Sequence, residues 1–342
     1  MILIFSLHQD LSTQKVVDWL IHFNNKPVII NEINPIIDIT WEQTSGKPSH
    51  LKMKLKNGIQ INSDDICVVW YRKGLYFLNF LFTPIAKIDH LNDVYINLRE
   101  EYQRLSEIIF DEFEAKVIGQ YNKALPNKLH VLKVANGVGL NIPDTRIISR
   151  KEDAFACEHI NKNISEIIST VYHGHILYNR TTLQSKYDEE NFYPSLIQKY
   201  ISKYCELRIF FFIDKFFAMA IKPENGRVLE VDNRDITGTT FYNRFEFELP
   251  NDIKSKLKAM FKILGYSTCS VDMIIDKDFN YHFLELNPVG QFGALSEFCN
   301  FNIEKYIALK LIGYEKKRTN SRTKNIFTLT PPNYIQFKGN AS

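Results

Sequence analysis

Three oxygen-bearing side chains near the C-terminal end of the sequence could hold a metal ion together. Asp272 lies in the apolar run CSVDMIID, and Glu285 and Asn287 lie in the next run, YHFLELN. The two runs predict an antiparallel hairpin with its turn near Asp278, which places Asp272 roughly opposite Glu285 and puts Asn287 on the same face. Carboxylate and amide oxygens suit a hard cation such as magnesium. The residues alone equally allow both carboxylates to pair with basic side chains instead.

Basic side chains on the preceding strands could neutralise an anionic ligand. Arg208 lies in ELRIFFFI, the longest strand signal in the sequence, and a turn at Asp214-Lys215 leads into a return strand that ends at Lys222. This hairpin predicts that Lys222 lies near Arg208. A guanidinium donates two parallel hydrogen bonds to phosphate or carboxylate, although a single arginine is more often a solvated surface residue.

The first elements that would position these side chains form a small α/β unit. An apolar strand spans residues 2–7, a helix is capped at Ser12, and the strand PVIINEI follows. The Asn57-Gly58 pair predicts a hairpin, and the strand ICVVWYRKG ends in charge. A long amphipathic helix over residues 92–113 closes the unit. We assign residues 1–120 to this N-terminal domain.

Two further units follow, over residues 121–200 and 201–315. The second contains a helix capped by Asn127, the strand TRIIS, a weak helix over residues 152–160, and the strands EIISTVY, HILYNR and SLIQKYI. The third contains the Arg208 hairpin, the helix PNDIKSKLKAMFKILG and the candidate metal hairpin. Residues 316–342 are basic and then poor in helical pattern, which predicts a loosely attached tail.

Composition narrows the class of protein. The 342 residues are 45% hydrophobic and 24% charged, as in a folded protein of two or three domains, and the formal charge is only +3. No run approaches the ~20 apolar residues of a membrane-spanning helix. Five scattered cysteines lack the paired spacings of zinc or redox sites. We therefore expect a cytoplasmic protein with no nucleic-acid partner, no membrane partner and bystander thiols.

The segment FLELNPVGQFG, with the strand SVDMII before it, resembles the metal-binding end of ATP-grasp ligases. In that superfamily an Asp on one strand and a Glu-x-Asn on the next hold magnesium bound to ATP phosphates. The resemblance implies that Asp272, Glu285 and Asn287 are metal ligands and that ATP and Mg²⁺ are the cofactors. It also implies the fold class: α/β (α+β), with an N-terminal α/β pre-ATP-grasp domain followed by two α+β subdomains that clamp ATP.

The same resemblance assigns nucleotide-binding roles in chain order. SLIQKYI is similar to the hinge strand that pairs with adenine, and ELRIFFF is similar to a strand start whose acid lies near the ribose and whose Arg reaches the phosphates. PNKL is similar to the start of the central domain, and VDNRDI to a step that brings an Arg into the site. The implied cofactor-binding residues are Lys128, Gln198, Lys199, Tyr200, Ile201, Glu206, Arg208 and Lys222. The implied catalytic residues are Arg208, Lys222 and Arg234.

One position departs from the superfamily pattern. These ligases usually carry a second phosphate-binding Lys on the strand before a glycine-containing loop, but the strand here reads IISTVYHGH. Ser169 or Thr170 takes the expected place, and we assign Thr170 to the cofactor site. His173 and His175 flank Gly174 in the loop, and His173 or Lys222 could substitute for the missing charge.

Within the superfamily, the chain resembles graspetide (microviridin-type) peptide maturases, of the subgroup called grasp-with-spasm. The similar segments are VVWYRKG, ELRIFFF, FLELNPVGQFG and SEFCNFNIEKYIALKLIG. Such enzymes phosphorylate Asp or Glu side chains of a ribosomal precursor peptide, and Thr, Ser or Lys then closes an ester or amide. The resemblance implies a precursor peptide with leader and core as partner. It also places Arg72 and Lys73 on the substrate side, where they could grip an acidic core or simply be a solvated strand end.

Other functions remain open at this stage. A ligase for a free amino acid or small dipeptide would share the same site. A catalytically silent relative that only binds peptide would account for Ser169 and Thr170, although the intact metal ligands argue against it. Nucleic-acid binding through the basic residues 316–324 has no recognised fold to support it. The sequence leaves the oligomeric state open, a homodimer included.

Overall fold

The computed structural model describes most of the chain. The described residues are 1–74, 101, 104–113, 117–119, 121, 126–153, 159–162, 176–178, 191–224 and 242–326. Several predicted features lie outside them: Ser169, Thr170, His173, His175, Arg234, the strand EIISTVY and most of the helix predicted over residues 92–113.

The described elements include both strands and helices. In order, the strands are β1 (Ile2–Phe5), β2 (Val28–Ile30), β3 (Ile36–Glu42), β4 (His50–Leu55), β5 (Gln60–Asn62), β6 (Val68–Tyr71), β7 (Val117–Ile118), β8 (Thr145–Arg150), β9 (His159–Lys162), β10 (Ile176–Tyr178), β11 (Asn191–Lys199), β12 (Lys203–Phe212), β13 (Lys215–Pro223), β14 (Tyr242–Glu246), β15 (Thr268–Asp276) and β16 (Tyr281–Asn287). The helices are α1 (Leu11–His22), α2 (Lys128–Gly137), α3 (Asn251–Leu264), α4 (Gly293–Phe298) and α5 (Ile303–Ile326). Residues 104–111 are also helical.

The N-terminal unit is built on a parallel sheet in the order β2-β1-β6-β7. Helix α1 joins β1 to β2, and its buried residues Val16 and Leu20 lie in the same core as β1 and β6. This arrangement confirms the predicted α/β start. The predicted cap is wrong, because the helix begins after Asp10 and Ser12 is already its second residue. Strands β3, β4 and β5 form a small antiparallel sheet, and Gly58 takes the positive φ of 90° in the predicted turn between β4 and β5.

The second unit is an antiparallel sheet in the order β10-β9-β11-β8. The predicted strands TRIIS and SLIQKYI correspond to β8 and to the end of β11. The weak helix predicted over residues 152–160 is wrong at its end, because His159–Lys162 is strand β9. Pairing with β11 on one side and β10 on the other decides this segment's conformation.

The third unit is an antiparallel sheet in the order β14-β13-β12-β15-β16. Helices α2 and α3 share a core with one face of this sheet, through Leu132 and Ala135 of α2 and Leu257 and Met260 of α3. Helix α2 therefore packs on the third sheet, although it precedes the whole second sheet in the chain. The amphipathic pattern of α3 ends at Gly265, which takes the left-handed φ of 76°.

The opposite face of the third sheet shares a core with the N-terminal sheet. Helices α1, α4 and α5 also contribute to this shared core. Its buried members are Ile2, Ile4, Val16, Leu20, Val68, Trp70, Ile118, Phe210, Phe212, Phe217, Met219, Ile221, Phe292, Leu295, Ile303, Ile307, Ala308 and Leu311. The two sheets are therefore held together by apolar packing.

The last described element is longer than predicted. Helix α5 runs from Ile303 to Ile326, so the segment expected to be a loose tail from residue 316 begins as helix. The three lysines and two arginines between residues 316 and 324 are compatible with a helix, because straight-chain basic residues have high helix propensity. None of the helices described is long and apolar enough to cross a membrane.

Candidate active site

The candidate metal hairpin has the predicted geometry. In the register of β15 and β16, Asp272 is paired with Glu285 and Ser270 with Asn287, and an irregularity follows Asp272. These residues line a cavity of about 260 Å³ together with Arg208, Ile209, Gly290, Gln291 and Leu295. Two carboxylates and one amide oxygen thus open into one cavity.

Two basic side chains contact the carboxylates of this hairpin. Arg208 Nη1 lies 3.0 Å from Asp272 Oδ2, and Lys128 Nζ lies 3.8 Å from Glu285 Oε2. The alternative interpretation, in which the carboxylates pair with basic residues, is therefore correct for this structure. Both partners are residues to which the resemblance assigned phosphate contacts, so the predicted metal ligands and the predicted phosphate-binding residues form one cluster.

Lys128 reaches the cluster because hydrogen bonds fix its helix at the N-cap and fix the chain after the helix to β16. The Asn127 side chain accepts hydrogen bonds from the backbone N–H groups of Leu129 (3.0 Å) and His130 (3.1 Å), as predicted for an N-cap. The Phe283 N–H donates to the Asn141 carbonyl (2.8 Å), which ties the chain after α2 to β16. The first turn of α2 is therefore held beside the candidate metal hairpin.

The hinge segment joins β11 to β12. Gln198 is buried, and its Nε2 donates to Thr145 Oγ1 (3.0 Å), while its Oε1 has no hydrogen-bond partner among the described residues. The Lys199 N–H donates to the Asp144 carbonyl (2.9 Å), and the Lys199 side chain is exposed. Tyr200 is half-buried. The end of β11 is thus anchored on the chain leading into β8.

Two more predicted hinge-side residues lie at or near the start of β12. Ile201 is half-buried between the strands. Glu206 is buried and pairs with the ammonium of Lys203. Because Glu206 and Arg208 are two residues apart on one strand, their side chains share a face of the sheet.

Lys222 does not lie near Arg208, and that prediction is wrong. Met219 pairs with Arg208 across the hairpin, so Lys222 is three residues further along β13 and points to the opposite face. Its ammonium lies 4.0 Å from the ring centroid of Tyr204 and 2.9 Å from the Tyr204 hydroxyl. The hairpin turn comprises Ile213 and Asp214, not the expected Asp214-Lys215, and this sets the register.

Arg72 is buried, which contradicts both predicted roles for it. Its exposed fraction is 4%, so it is neither a solvated strand end nor available to grip a peptide. The guanidinium donates from Nη1 to the Val289 carbonyl (2.6 Å) and from Nη2 to Gln291 Oε1 (3.0 Å). Lys73 is less buried and pairs with Asp10 Oδ1 at 3.2 Å.

Asp10 is a buried carboxylate at the head of α1 that sequence reasoning missed. Its Oδ2 lies 3.4 Å from Arg72 Nε and accepts a hydrogen bond from Thr13 Oγ1 (2.6 Å). Burial alone would raise the pKa of Asp10, but Arg72, Thr13 and Lys73 lower it below its usual range. No sequence signal links Asp10 to the site, because a carboxylate before a helix is an ordinary cap.

Gly290 was also missed, and it closes one wall of the cavity. A Cβ at this position would lie 2.3 Å from Ser270 Oγ and 3.2 Å from the Asn287 carbonyl oxygen, so only glycine fits. The Gly290 N–H donates to that same carbonyl (3.2 Å), and the Val289 N–H donates to Asn287 Oδ1 (3.0 Å). The loop after β16 therefore folds back on Asn287.

The donor set fits a hard cation. Asp272 and Glu285 supply carboxylate oxygens and Asn287 supplies an amide oxygen, which accepts one hydrogen bond and keeps a second lone pair. Ser270 Oγ is buried in the same wall with no partner among the described residues. Across the described part of the chain there is no cluster of three or more His, Cys, Asp or Glu side chains that could hold a metal. A cation site here therefore needs the amide oxygen, or oxygens that a bound ligand brings.

Comparison with known proteins gives a result at the level of structure only. No protein-family model matches the chain, and no curated protein matches it. The macrocyclase MdnC of Microcystis aeruginosa MRC, solved with the precursor peptide MdnA, has a TM-score of 0.68 at 23% identity, covering 91% of this chain and 99% of MdnC.

Two further solved structures agree with this match. A RiPP-associated ATP-grasp ligase of Chryseobacterium gregarium, in complex with ADP and a leader and core peptide, has a TM-score of 0.69 at 20% identity over 91% of this chain and 96% of its own. The ATP-grasp ligase PsnB, with a variant of its minimal precursor, Mg and ADP, has a TM-score of 0.69 at 18% identity over 92% and 98%. The chain has the fold of these ATP-grasp ligases.

Proposed function

We propose that this chain is an ATP- and magnesium-dependent ligase that activates Asp or Glu side chains of a ribosomal precursor peptide and closes ester or amide cross-links with Thr, Ser or Lys. One observation carries the proposal: Arg208, Asp272, Glu285 and Asn287 line a single cavity, and Lys128 pairs with Glu285 beside it, although these residues come from three separated parts of the sequence. The ATP-grasp fold supports it.

The carboxylates and the amide would hold magnesium. Each carboxylate already faces a cation, and the side chains of Asp272 and Glu285 are 23% and 28% exposed. Both ion pairs keep some access to water, which screens the attraction and lowers the cost of exchanging the partners. With nucleotide bound, the carboxylates would turn to the metal, and Arg208 and Lys128 would turn to the phosphates.

The adenine would lie against the hinge. In this proposal the backbone of Lys199, Tyr200 and Ile201 pairs with the base, and Gln198 lines the pocket. Glu206, on the Arg208 face of β12, lies toward the ribose. Thr170 stays proposed as a cofactor-binding residue and Arg234 as a catalytic residue, and both lie outside the described residues. Lys222, turned toward Tyr204, is left out of the phosphate set.

In this proposal the protein's residues position the substrates and neutralise negative charge, and none of them acts as a nucleophile. Phosphoryl transfer to a carboxylate, followed by attack of a hydroxyl or amine, requires no covalent protein nucleophile. Magnesium, when bound, neutralises the phosphate oxygens. Arg208 and Lys128 hold positive charge where negative charge develops, and the closed loop at Gly290 keeps the ligand oxygens in place.

The substrate is proposed to be a peptide with leader and core. MdnC, the Chryseobacterium ligase and PsnB were each solved with a precursor or with leader and core peptides. Lys73 remains our candidate for binding an acidic residue of the core peptide. A small amino acid is the second candidate, because the D-Ala:D-Ser ligase VanG of Enterococcus faecalis shares the fold at a TM-score of 0.51.

We propose the cytoplasm as the compartment, and a homodimer as one oligomeric state to test.

The test is a substitution of one proposed metal ligand. Glu285→Gln keeps the shape of the side chain but removes its charge, so magnesium-ATP turnover with precursor peptide should fall by about two orders of magnitude or more. Turnover is measured as ADP release and as loss of water from the peptide by mass spectrometry. Asp278→Asn is the matched control, because it removes a carboxylate from the exposed turn of the same hairpin.

Three outcomes would overturn parts of the proposal. A folded Glu285→Gln protein that cross-links peptide at a near-normal rate would remove the metal assignment. ADP release with D-alanine or glutamate, but with none of the candidate peptides, would favour the small-substrate ligase. Peptide binding without any ADP release would identify a silent relative.

A further inference from the structure

A partly buried polar network joins the N-terminal unit to the loop that follows the candidate metal hairpin. Arg72, at the end of β6, donates to the Val289 carbonyl and to Gln291 Oε1, and its guanidinium lies 5.3 Å from the Phe292 ring centroid. Ser12 Oγ donates to the same Gln291 oxygen (3.4 Å). Residues 289–291 are thus held by groups more than 200 positions away in the sequence.

The loop in turn determines the position of Asn287. The Val289 N–H donates to Asn287 Oδ1, and the Gly290 N–H donates to the Asn287 carbonyl. A displacement of Val289 would therefore rotate or free the Asn287 amide. Arg72 is connected to a proposed metal ligand through one intervening residue.

The burial of Arg72 argues for a fixed geometric role. The desolvation of a buried guanidinium lowers its pKa and costs free energy, which the Asp10 carboxylate offsets at 3.4 Å from Nε. The planar guanidinium group of Arg72 presents its two terminal nitrogens to two acceptors at once. Lys73, its neighbour, contacts Asp10 but has no contact with the loop among the described interactions.

We propose that Arg72 is a positioning residue for the metal site: it clamps Val289 and Gln291 so that the Asn287 amide oxygen faces the cation held by Asp272 and Glu285. The substrate-side unit thereby takes part in building the metal site. This inference rests on the proposed function for the identity of the ligand. The clamp itself can be tested without ligand.

The experiment compares Arg72→Gln with Lys73→Gln, since both remove a cation beside Asp10 and only Arg72 reaches the loop. ADP binding is titrated by calorimetry at a series of magnesium concentrations. For Arg72→Gln, the magnesium concentration needed for half-maximal ADP binding should rise by about 10- to 100-fold, as for loss of groups that orient metal ligands. For Lys73→Gln it should stay unchanged.

Hydrogen exchange at the Val289 amide is the second readout and needs no ligand. That amide should exchange faster in Arg72→Gln and keep its wild-type rate in Lys73→Gln. If Arg72→Gln does not fold, Gln291→Ala removes one acceptor of the clamp without unpairing a buried charge. The Gln291→Ala protein should also need more magnesium for ADP binding and show faster exchange at Val289, and both changes should be smaller.

The outcomes separate the clamp from the function. Equal changes in the Arg72 and Lys73 variants would assign the effect to the charge around Asp10 and overturn the clamp, as would unchanged exchange and unchanged magnesium dependence in Arg72→Gln. If the wild type binds no ADP at any magnesium concentration, the proposed function fails. Exchange at Val289 then decides whether the clamp exists.

Discussion

Asp276 is the last residue of β15, and its carboxylate folds the turn of the candidate metal hairpin. It accepts hydrogen bonds from the backbone N–H groups of Asp278 (2.9 Å) and Asn280 (2.8 Å), and His282 Nε2 lies 2.8 Å from Oδ2. Burial alone would raise the pKa of Asp276, but hydrogen bonds from His282, Asn280 and Asp278 outweigh it and lower the pKa to about 2. The ionised form is therefore the one that the folded hairpin stabilises.

This pKa gives a pH dependence with a definite sign. The folded pKa lies below the usual value of about 3.9, so the ionised group stabilises the fold above about pH 4, and this contribution disappears as the pH falls toward 2. The free energy of unfolding of Asp276→Asn should lie about 1–2 kcal/mol below wild type at about pH 5 and approach it near pH 2. Urea titrations at several pH values, with Asp278→Asn as control, measure this. A deficit that persists unchanged at pH 2 would contradict it.

At the scale of residues, the sequence predicted a contact correctly where a short turn fixes which side chains face each other. Asp272 and Glu285 are paired because a short turn fixes the register of the hairpin. The prediction failed for Lys222, because moving the turn by one residue changes which side chains face each other. It failed for Arg72 because the burial of a strand end depends on a loop 217 positions away.

At the scale of elements, the cap of α2 links helix stability to the site. Asn127→Ala removes the acceptor for the Leu129 and His130 N–H groups and should lower the free energy of unfolding by about 1 kcal/mol. The affinity for ADP should also fall, because Lys128 occupies the first turn of the helix. Asn136→Ala, at an exposed position of the same helix, should be neutral or slightly stabilising. Equal losses in both variants, measured in urea, would show that the cap is not what matters.

Elements with strong local signals were predicted from sequence, and elements decided by pairing were not. The Asn57-Gly58 hairpin, the Asn127 cap and the β15–β16 hairpin each follow from a few adjacent residues. The segment His159–Lys162 has weak local preference, and its strand conformation comes from two neighbouring strands. The packing of α2 on the third sheet likewise has no local signal.

At the scale of the whole molecule, the N-terminal unit and the third unit share a hydrophobic core. The third sheet packs α2 and α3 on one face and the N-terminal sheet on the other, so the N-terminal unit and the third unit complete one core between them. A domain boundary near residue 120 remains a prediction about chain connectivity. The packing indicates that the N-terminal and third units are coupled in stability.

This coupling can be measured because the tryptophans are asymmetrically placed. All three, Trp19, Trp41 and Trp70, lie in the N-terminal unit, so their fluorescence reports on that unit. Leu257→Ala, in the core between α3 and the third sheet, should destabilise the protein by about 2–5 kcal/mol. We expect the tryptophan transition in urea to shift together with the far-ultraviolet circular dichroism. A tryptophan midpoint left at its wild-type value would show that the units unfold independently.

Gly290 and Ser270 share a space that admits only one side chain. A Cβ at 290 would lie 2.3 Å from the Ser270 hydroxyl oxygen and 2.4 Å from its Cβ, so removing the hydroxyl alone does not make room. In evolutionary terms the two positions are coupled: a side chain can appear at 290 only in a lineage where 270 has already become glycine and the Asn287 carbonyl, 3.2 Å from that Cβ, shifts slightly. The order of the two substitutions is therefore constrained, and the intermediate carries glycine on both walls of the cavity. Homologues of this chain should then fall into two groups, with the side chain on β15 or on the loop, and rarely on both.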